Sequence, residues 1–258
     1  MTPLFSKYRF LVSLVILLGK IVSFKPFKLI LRKYTNVSKK QILADLVVHH
    51  ILCFFIRLLY PTQHILCEEN ASMPSSFNWI IDPIDGSSSY RHNFSGYVIQ
   101  LCHLDDSNNF LFSLIYAPSL NMLFSYHHVK GFSVPSPAEN LRLNIYTLVD
   151  NYPSPQGVAL QLSSHFNLKY IESGSISLKI LLVGLGLADL FVKDVVVRDW
   201  DIAPTMPFCR LFKIKLTTFD LAEFRVGPYF EKKGIIAFHS SLSTTASNMI
   251  NQIKRFPE

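Results

Sequence analysis

Cysteine is scarce in this chain of 258 residues, and its spacing excludes the common structural zinc sites. There is no CxxC pair, and no cysteine clusters with histidines at zinc-binding spacing. We therefore expect reduced, mostly structural side chains at all four positions, Cys53, Cys67, Cys102 and Cys209. Neighbouring histidines on one element point in different directions, so we interpret the pairs His49-His50 and His127-His128 as solvated or capping residues.

A long uninterrupted apolar run is also missing. The stretch FLVSLVILLGKIVSF, Phe10 to Phe24, follows Lys7 and Arg9 as a signal peptide would. Lys20 interrupts it, the remaining apolar piece is too short to cross a bilayer, and no small-x-small cleavage site follows. We expect a buried first helix and a cytoplasmic protein, with a membrane or export segment over residues 10–24 as the alternative.

Internal repeats and low-complexity segments are absent, and the length of 258 residues is enough for one large domain or two closely packed halves. Its 49% hydrophobic content is enough to fill a substantial core. The net charge of +7 favours an anionic partner, which could be a phosphorylated metabolite, a nucleic acid or a membrane surface. Charge alone does not choose among these three.

The order of predicted elements indicates a layered α+β fold. We expect a helix from Ser38 to the Tyr60-Pro61 stop, and later helices after Gly174, from Asp199 to Asp201 onward, and over Thr244–Phe256. Strands are predicted at HILCEEN, NWIIDPIDG, Tyr97–Leu104, Phe110–Tyr116, Met122–Tyr126, FKIKLTTFDL and GIIAFHSS. The segment from Ser136 to Asn167 has no regular period, and we expect it to wrap a second layer.

Acidic residues number only 18, yet several stand at the ends of apolar elements: Asp45, Glu68, Glu69, Asp82, Asp85 and Asp201. Carboxylates that lie close together and partly out of water repel one another unless a cation compensates their charge. Such a set therefore indicates a bound metal. Ligands that are all oxygen favour a hard ion, Mg2+ or Mn2+.

The string DPIDG carries two of these acids. Pro83 fixes the chain after Asp82, and Gly86 allows the backbone to approach a ligand closely. The bend lets Asp82 and Asp85 face one site, where the Ile84 carbonyl can also turn inward. Alone, such a string is more often a plain turn, so the metal interpretation depends on the other acids.

In chain order, an EE pair, DPIDGS and WD together resemble the inositol monophosphatase superfamily of Mg2+-dependent, lithium-sensitive phosphatases. The likeness covers nearly the whole chain, through ADLVVHHIL, YPTQHILCEE, WIIDPIDGSSSYRHNFSGYVIQL, IYAPSLNMLF, KGFSV, SGSISLKILLVGLGLADLFV, RDWDIAP and KKGIIAFHSS. It implies one inositol monophosphatase-like domain over residues 1–258, a layered α-β-α-β-α sandwich of the inositol monophosphatase and fructose-1,6-bisphosphatase type. Residues 1–135 would be the metal-binding half with the antiparallel sheet, and residues 136–258 the half with the second sheet.

The resemblance also implies a role for each matching residue. One metal would be held by Glu68, Asp82 and the Ile84 carbonyl, and a second by Asp82, Asp85 and Asp201, with two or three Mg2+ ions in all and Mn2+ as a substitute. Gly86 and Ser87 would donate to the phosphate, whereas Gly174, Ser175 and Asp194 would contact the rest of the substrate. Asp45 and the Ser87 hydroxyl would orient the attacking water, and Glu68 would accept or steer its proton.

Other interpretations of some of these residues stay open. Asp45 could face solvent, Asp201 could start a helix, and Ser175 could cap one. Asp194 is expected at a strand-to-loop edge.

The sequence departs from the family pattern in its first helix, which is far more apolar than expected, in the lead-in QILAD to Asp45, and at three further places. Ser87 replaces a threonine, Cys67 replaces a frequent glycine, and Pro207 interrupts a helix that has no closing glycines.

The resemblance implies a phosphomonoesterase that hydrolyses a small phosphorylated metabolite, inositol monophosphate first, by metal-activated attack of water. One alternative is a 3'(2'),5'-bisphosphate nucleotidase acting on phosphoadenosine phosphate. Another is a catalytically impaired member that serves as a binding or membrane-associated subunit. No nucleic acid polymer is expected as a partner; a homodimer is implied, and the apolar N-terminus leaves peripheral membrane contact open.

Overall fold

The computed structural model describes residues 3–36, 41–69, 76–136, 146–151, 154–166, 168–219, 222–224, 226, 231–242, 244 and 248. The chain divides into two compact units, Met1–Pro135 and Ser136–Glu258. Each unit carries its own sheet.

The first unit contains a six-stranded sheet whose strands follow one another in chain order. These are β3 (Ile65–Cys67), β4 (Trp79–Asp85), β5 (Val98–Leu104), β6 (Phe110–Ala117), β7 (Met122–His127) and β8 (Gly131–Ser133). A small hairpin, β1 (Tyr34–Asn36) with β2 (Gln41–Ile42), precedes the sheet. β3 is parallel to β4, and every later neighbour is antiparallel, as the run of strands separated by turn residues predicts.

The helices of the first unit are α1 (Pro3–Ser23), α2 (Lys25–Leu31), α3 (Leu43–Leu59) and α4 (Ser87–Arg91), with a 3-10 turn at Pro118–Leu120. The helix predicted from Ser38 begins only at Leu43, because Gln41 and Ile42 pair in the hairpin. It ends at Leu59, two residues before Pro61 as expected. The strand predicted over HILCEEN ends at Cys67, so Glu68 and Glu69 lie in the turn that follows it.

The first helix packs one face into the core of this unit, which confirms the expected buried helix. Leu11, Val15, Leu18 and Val22 are buried in the same cluster as residues of the sheet. The buried Tyr8 hydroxyl lies 2.7 Å from His103 Nδ1. Among the described residues, no single helix is long and apolar enough to cross a membrane, although residues 6–23 and Lys25–Leu31 together meet both criteria across an 84° bend.

The second unit contains a five-stranded mixed sheet. Its strands are β9 (Thr147–Asp150), β10 (Lys169–Glu172), β11 (Leu190–Arg198), β12 (Ile214–Thr217) and β13 (Glu231–His239), in the order β10-β9-β11-β13-β12. Its helices are α5 (Gly157–Phe166), α6 (Ile176–Gly184), α7 (Asp199–Ile202) and α8 (Met206–Leu211), with 3-10 turns at Ala203–Thr205 and Ser240–Leu242. Apart from Thr244 and Asn248, the predicted closing helix Thr244–Phe256 lies outside the described residues.

The segment Ser136–Asn167 proves more regular than its sequence indicates. It contains β9, an interior strand of the sheet, and α5, whose Ala159 and Leu162 pack into the core with Leu148. Of the prolines and glycines that obscure its periodicity, Pro137 precedes β9, Pro153 and Pro155 fall between β9 and α5, and Gly157 is the first residue of α5.

The helix after WDIAP accommodates both of its departures from the family pattern. Pro207 is the second residue of α8, where the helix needs no N–H from it. After the helix ends at Leu211, Lys213 adopts a left-handed conformation (φ 54°) that usually falls to glycine. The helix therefore forms with Pro207 in its first turn, and Lys213 takes the left-handed position after it.

Candidate metal and phosphate site

A bulge in β4 turns Asp82 and Asp85 to the same face of the sheet. Residues three apart in a regular strand point to opposite faces. Here Asp82 pairs with Gln100 and Asp85 with Val98, so three steps along β4 match two steps along β5. Because paired residues share a face, and Gln100 and Val98 are two apart, both aspartates project from one side.

Pro83 explains how β4 can bend at this point. Proline cannot donate a hydrogen bond to a neighbouring strand, and β4 has a partner strand on each edge. A bulge is one of the few places where an interior strand tolerates it, and Pro83 lies within the irregular segment between Asp82 and Asp85. The whole strand is buried, so both carboxylates are held largely out of water.

Glu68 lies beside Asp82, in the turn that directly follows the adjacent strand β3. Parallel pairing aligns Cys67 with Ile81, and the Glu68 N–H donates to the Ile81 carbonyl at 3.4 Å, one residue beyond the end of β3. Glu68 is exposed, whereas Asp82 is buried. Three acids predicted as ligands are therefore gathered at one corner of the sheet by a register and a bulge.

Gly86 and Ser87 follow this corner directly. Gly86 has φ 93°, a left-handed conformation that glycine adopts without strain, and it is the residue before α4. Ser87 is the first residue of α4, and its hydroxyl lies 2.8 Å from the Ile84 carbonyl oxygen. A carbonyl oxygen has two lone pairs, so Ile84 keeps an acceptor position beside this bond.

Asp45 reaches the same corner from α3. It is the third residue of that helix, and its Oδ2 accepts a hydrogen bond from the Ile42 N–H at 2.9 Å. The apolar Ile42 side chain cannot cap the helix. Instead, the Asp45 carboxylate accepts the hydrogen bond of a backbone N–H group that the helix itself leaves without an acceptor. Its other oxygen, Oδ1, lies 3.0 Å from Ser87 Oγ. Asp45 is buried, and the alternative that it faces solvent is wrong.

Burial raises the pKa of Asp45 to about 7, with the charge of Glu69 adding to the effect and the Ile42 and Ser87 hydrogen bonds opposing it. Ser87 has one hydroxyl hydrogen and two acceptors within 3.0 Å, Asp45 Oδ1 and the Ile84 oxygen. A neutral Asp45 donates its own proton to Ser87 Oγ, which leaves the hydroxyl hydrogen for Ile84. The protonation state of Asp45 therefore sets the direction of this short chain of hydrogen bonds.

In the second unit, Asp201 and Ser175 both lie at helix starts, as the open alternatives for them expected. Asp201 is the third residue of α7 and its Oδ2 accepts from the Arg198 N–H at 2.6 Å, repeating the local geometry of Asp45. Ser175 caps α6 and accepts from the Leu178 N–H at 2.9 Å. Each residue therefore has a structural role at the start of its helix, and its predicted role in the site is tested separately.

Asp194 and Gly174 lie elsewhere in the second unit. The expected strand-to-loop edge for Asp194 is wrong, because Asp194 is an exposed residue inside β11, where the pairing with β13 shifts between Lys193 and Val196. Because β11 pairs with β13 on both sides of this shift, the strand continues beyond Val192, where its first apolar run ends. Gly174 lies in the bend between β10 and α6, as expected.

The sequence interpretation missed a buried cluster of one histidine and two cysteines, one of which, Cys67, directly precedes Glu68. His49 Nδ1 lies 3.1 Å from Cys67 Sγ and 3.7 Å from Cys53 Sγ, and all three side chains are buried. The solvated interpretation of His49 is therefore wrong, since α3 turns it toward β3. The cysteines are free, as predicted. The available signal was Cys67 itself, at a position where the family usually has glycine.

A second missed feature is a buried lysine in the apolar helix α6. Lys179 lies 3.9 Å from Asp150, and Lys193 lies 2.9 Å from the same carboxylate oxygen. Lys179 is fully buried, so its charge needs this partner and the hydrogen bond that it donates to Asn151. Helical spacing alone could not show that an isolated lysine in an apolar run has an acidic partner on a distant strand.

The corner residues fit a hard divalent cation. Glu68, Asp82, Asp85 and the Ile84 carbonyl offer oxygen only, and a cation would offset the cost of burying two aspartates on one face. Within the described ranges, no three acidic, histidine or cysteine side chains are yet arranged around one point.

Solved structures define the class of fold. The Thermotoga maritima IMPase matches with a TM-score of 0.77 at 20% identity, over 97% of this chain and 98% of that one. An IMPase/NADP phosphatase complexed with Mg2+ and phosphate matches with a TM-score of 0.66 at 21% identity, over 81% of each chain. The predicted layered α+β fold is confirmed.

Sequence comparison identifies the family. A model of the inositol monophosphatase family matches residues 28–210, more than half of the chain, and the chain therefore belongs to this family of phosphatases. Curated relatives include the fructose-1,6-bisphosphatase/inositol-1-monophosphatase of Thermotoga maritima, 26% identical over 65% of this chain and 69% of its own length. Others are the 3'(2'),5'-bisphosphate nucleotidase CysQ of Aggregatibacter actinomycetemcomitans (26% identity, 62% and 65%) and the putative Nus factor SuhB of Neisseria meningitidis (27%, 59% and 63%). The alignments span 59 to 71% of the curated relatives' lengths.

Proposed function

We propose that this chain is a Mg2+-dependent phosphomonoesterase that acts on a small phosphorylated metabolite, with inositol monophosphate as the substrate. The observation that supports this most is the corner of the first sheet, where the β4 bulge and the β3 register bring Glu68, Asp82 and Asp85 together. Buried acids that share one face are costly without a cation, and a phosphate ester is a ligand that such a cation binds.

The proposed ion ligands are Glu68, Asp82, the Ile84 carbonyl and Asp85, with Asp201 assigned to the second ion by the family resemblance. Two or three Mg2+ ions are proposed, with Mn2+ as a substitute. When bound, such ions neutralise phosphate oxygens and lower the pKa of water. The protein then has to place the phosphate, hold a water in line and take up a proton.

The Ser87 hydroxyl, held between Asp45 and Ile84, is suited to orient the water. Asp45 fixes that hydroxyl from α3. Glu68 is exposed, so its carboxylate is available to accept or steer the proton of the water. The backbone N–H groups of Gly86 and Ser87 are proposed to bind the phosphate, because the left-handed Gly86 opens the turn there.

The remaining assignments concern the body of the substrate. We propose that Gly174, Ser175 and Asp194 contact the body of the substrate. Variants at these three positions can be assayed separately from variants of the metal ligands. Relatives of nearly equal identity include the nucleotidase CysQ and the Nus factor SuhB, which keep two alternatives in view. One is a 3'(2'),5'-bisphosphate nucleotidase acting on phosphoadenosine phosphate, and the other a binding subunit with impaired turnover.

The deciding experiment measures phosphate release from inositol 1-phosphate, phosphoadenosine phosphate and fructose 1,6-bisphosphate, with and without Mg2+. We expect Mg2+-dependent release, preferentially from inositol 1-phosphate, that Asp82→Asn abolishes. The matched control is Asp106→Asn, an exposed aspartate in a turn of the same unit, which should behave as the parent. The proposal fails if none of the substrates gives Mg2+-dependent release and Asp82→Asn equals the parent.

A homodimer and a cytoplasmic site of action are proposed together with the activity, from the family resemblance alone. Sedimentation velocity of the full chain tests the first, and fractionation of cells that express it tests the second. A monomer would contradict the proposed homodimer. Recovery of the chain outside the cytoplasmic fraction and its membranes would contradict the proposed location. Neither result would bear on the proposed activity.

A further inference from the structure

We propose that α2, with the residue that precedes it and the two that follow it, is a docking surface for an anionic lipid bilayer. We call this the α2 surface and define it by four apolar side chains, Phe24, Phe27, Leu29 and Ile30, and three cations, Lys25, Arg32 and Lys33. The proposal is independent of the proposed catalytic activity.

The apolar side chains of the α2 surface are unusually exposed. Phe24, Phe27, Leu29 and Ile30 keep 57, 49, 58 and 53% of their accessible surface. Phe24 and Phe27 pack edge to face with their ring centroids 5.5 Å apart, so they form one patch. Only Leu31 of α2 is buried. Adjacent exposed apolar residues of this kind are typical of interaction surfaces.

The surface is held firmly in this orientation. The amino group of Lys28 lies 5.2 Å from the ring centroids of both Tyr90 and Tyr97, which are buried in the core. Leu31 joins the same core, and the chain bends by 84° between α1 and α2. The apolar side chains of α2 therefore face outward because the other side of the helix is anchored.

Charge is distributed very unevenly along the chain, and this indicates the partner. Residues 1–44 contain nine of the 25 lysines and arginines and none of the 18 acids, since the first acid is Asp45. The rest of the chain carries 16 cations against 18 anions, so the whole net positive charge comes from the N-terminal segment. Lys25, Arg32 and Lys33 are exposed and flank the apolar patch.

This combination fits a bilayer better than a second copy of the chain. Two α2 surfaces facing each other would bring like charges together, which opposes association. In an anionic bilayer the apolar side chains enter the boundary of the acyl chains, while the cations meet the headgroups. Each lysine or arginine near such a surface strengthens the attraction to the anionic headgroups.

The test is flotation of the full chain with vesicles of phosphatidylcholine alone or with about 30% phosphatidylserine. We expect binding to the anionic vesicles at least about tenfold tighter than to the neutral ones, and release by about 0.5 M salt. Lys25→Glu with Arg32→Glu, and separately Leu29→Ser with Ile30→Ser, should each weaken binding at least about tenfold. Lys169→Glu with Lys215→Glu makes the same change in net charge at exposed positions elsewhere and should bind as the parent.

The proposal would be overturned if the parent bound neither kind of vesicle. It would also be overturned if Lys169→Glu with Lys215→Glu lost as much vesicle binding as the variants of the α2 surface. Loss of a dimer in Leu29→Ser with Ile30→Ser, without vesicle binding by the parent, would assign the surface to a second copy instead. Phosphate release in vesicle-free buffer should be unchanged in all three double variants. Failure of this proposal is therefore distinguishable from failure of the proposed activity.

Discussion

Ser87 Oγ lies 3.0 Å from Asp45 Oδ1, so one hydrogen bond joins the start of α4 to the first turn of α3. The same Oγ lies 2.8 Å from the Ile84 carbonyl oxygen at the β4 bulge. Three elements therefore determine where one hydroxyl lies. This small arrangement joins the backbone at the β4 bulge to Asp45, the residue with the raised pKa.

Ser87→Thr tests the role of that hydroxyl. The added methyl restricts the side chain to fewer rotamers while the hydroxyl is kept, so we expect Mg2+-dependent turnover to rise roughly two- to fivefold. Steady-state phosphate release measures it, with Ser87→Ala as the comparison that removes the hydroxyl and should lower the rate. A fall or no change in Ser87→Thr would contradict the role assigned to Ser87.

Asp45→Asn tests the raised pKa through stability. Folded Asp45 retains a proton up to about pH 7, whereas the unfolded chain releases it near its ordinary value of 3.8. The folded state thus binds the extra proton, and stability must fall as pH rises across this window, by up to about 4 kcal/mol. Urea unfolding in the presence of a chelator should show this decline in the parent.

In Asp45→Asn the decline with pH should be much shallower, because asparagine does not titrate. Asp106→Asn, on the exposed turn, should keep the slope of the parent. If the parent and Asp45→Asn gave parallel stability curves between pH 4 and pH 7, the assignment of the raised pKa to Asp45 would be wrong.

Gly19→Ala tests how tightly α1 packs on the sheet. A Cβ at residue 19 would lie 2.5 Å from the Tyr116 ring and 2.8 Å from Pro118. Alanine normally stabilises a helix interior relative to glycine, but here the clash should dominate and lower the free energy of unfolding by about 1–3 kcal/mol. Thermal unfolding measures it, with Ser13→Ala on the exposed face of α1 as the control. Equal or greater stability in Gly19→Ala would show that α1 lies further from the sheet.

Lys213→Gly tests the left-handed residue after α8. Lysine at φ 54° is strained and glycine is not, so the change should raise the free energy of unfolding by up to about 1 kcal/mol despite the greater freedom of glycine when unfolded. Lys215→Gly, inside β12, should destabilise by about the same amount. A loss of stability in Lys213→Gly would show that the lysine side chain has a role that φ alone does not reveal.

The predictable part of the fold rests on short-range patterns. Apolar strands bounded by turn residues locate β5, β6 and β7 to within about one residue. The segment around β9 and α5 resisted prediction because those elements depend on partners distant in sequence, such as β11. His49 is a similar case, since one side of α3 is made interior only by the strand that packs against it.

The candidate site divides in the same way. The string DPIDG, with the EE pair before it, was enough to predict an acidic corner of hard oxygen ligands. The proline and glycine of this string predict that Asp82 and Asp85 face one site, whereas strand periodicity alone places them on opposite faces. The bulge opposite Gln100 and Val98 reverses this, and it exists only where β4 pairs with β5.

The amino-acid sequence by itself determined the chemistry available to this protein: few acids, gathered at the ends of apolar elements, and a basic N-terminal segment without any acid. The tertiary structure alone decided which of these groups meet. Asp45 and Ser87 are 42 residues apart, and their contact depends on α3 packing near the end of β4. The exposure of α2 was decided in the same way, because hydrophobicity is local but burial depends on what the rest of the chain covers.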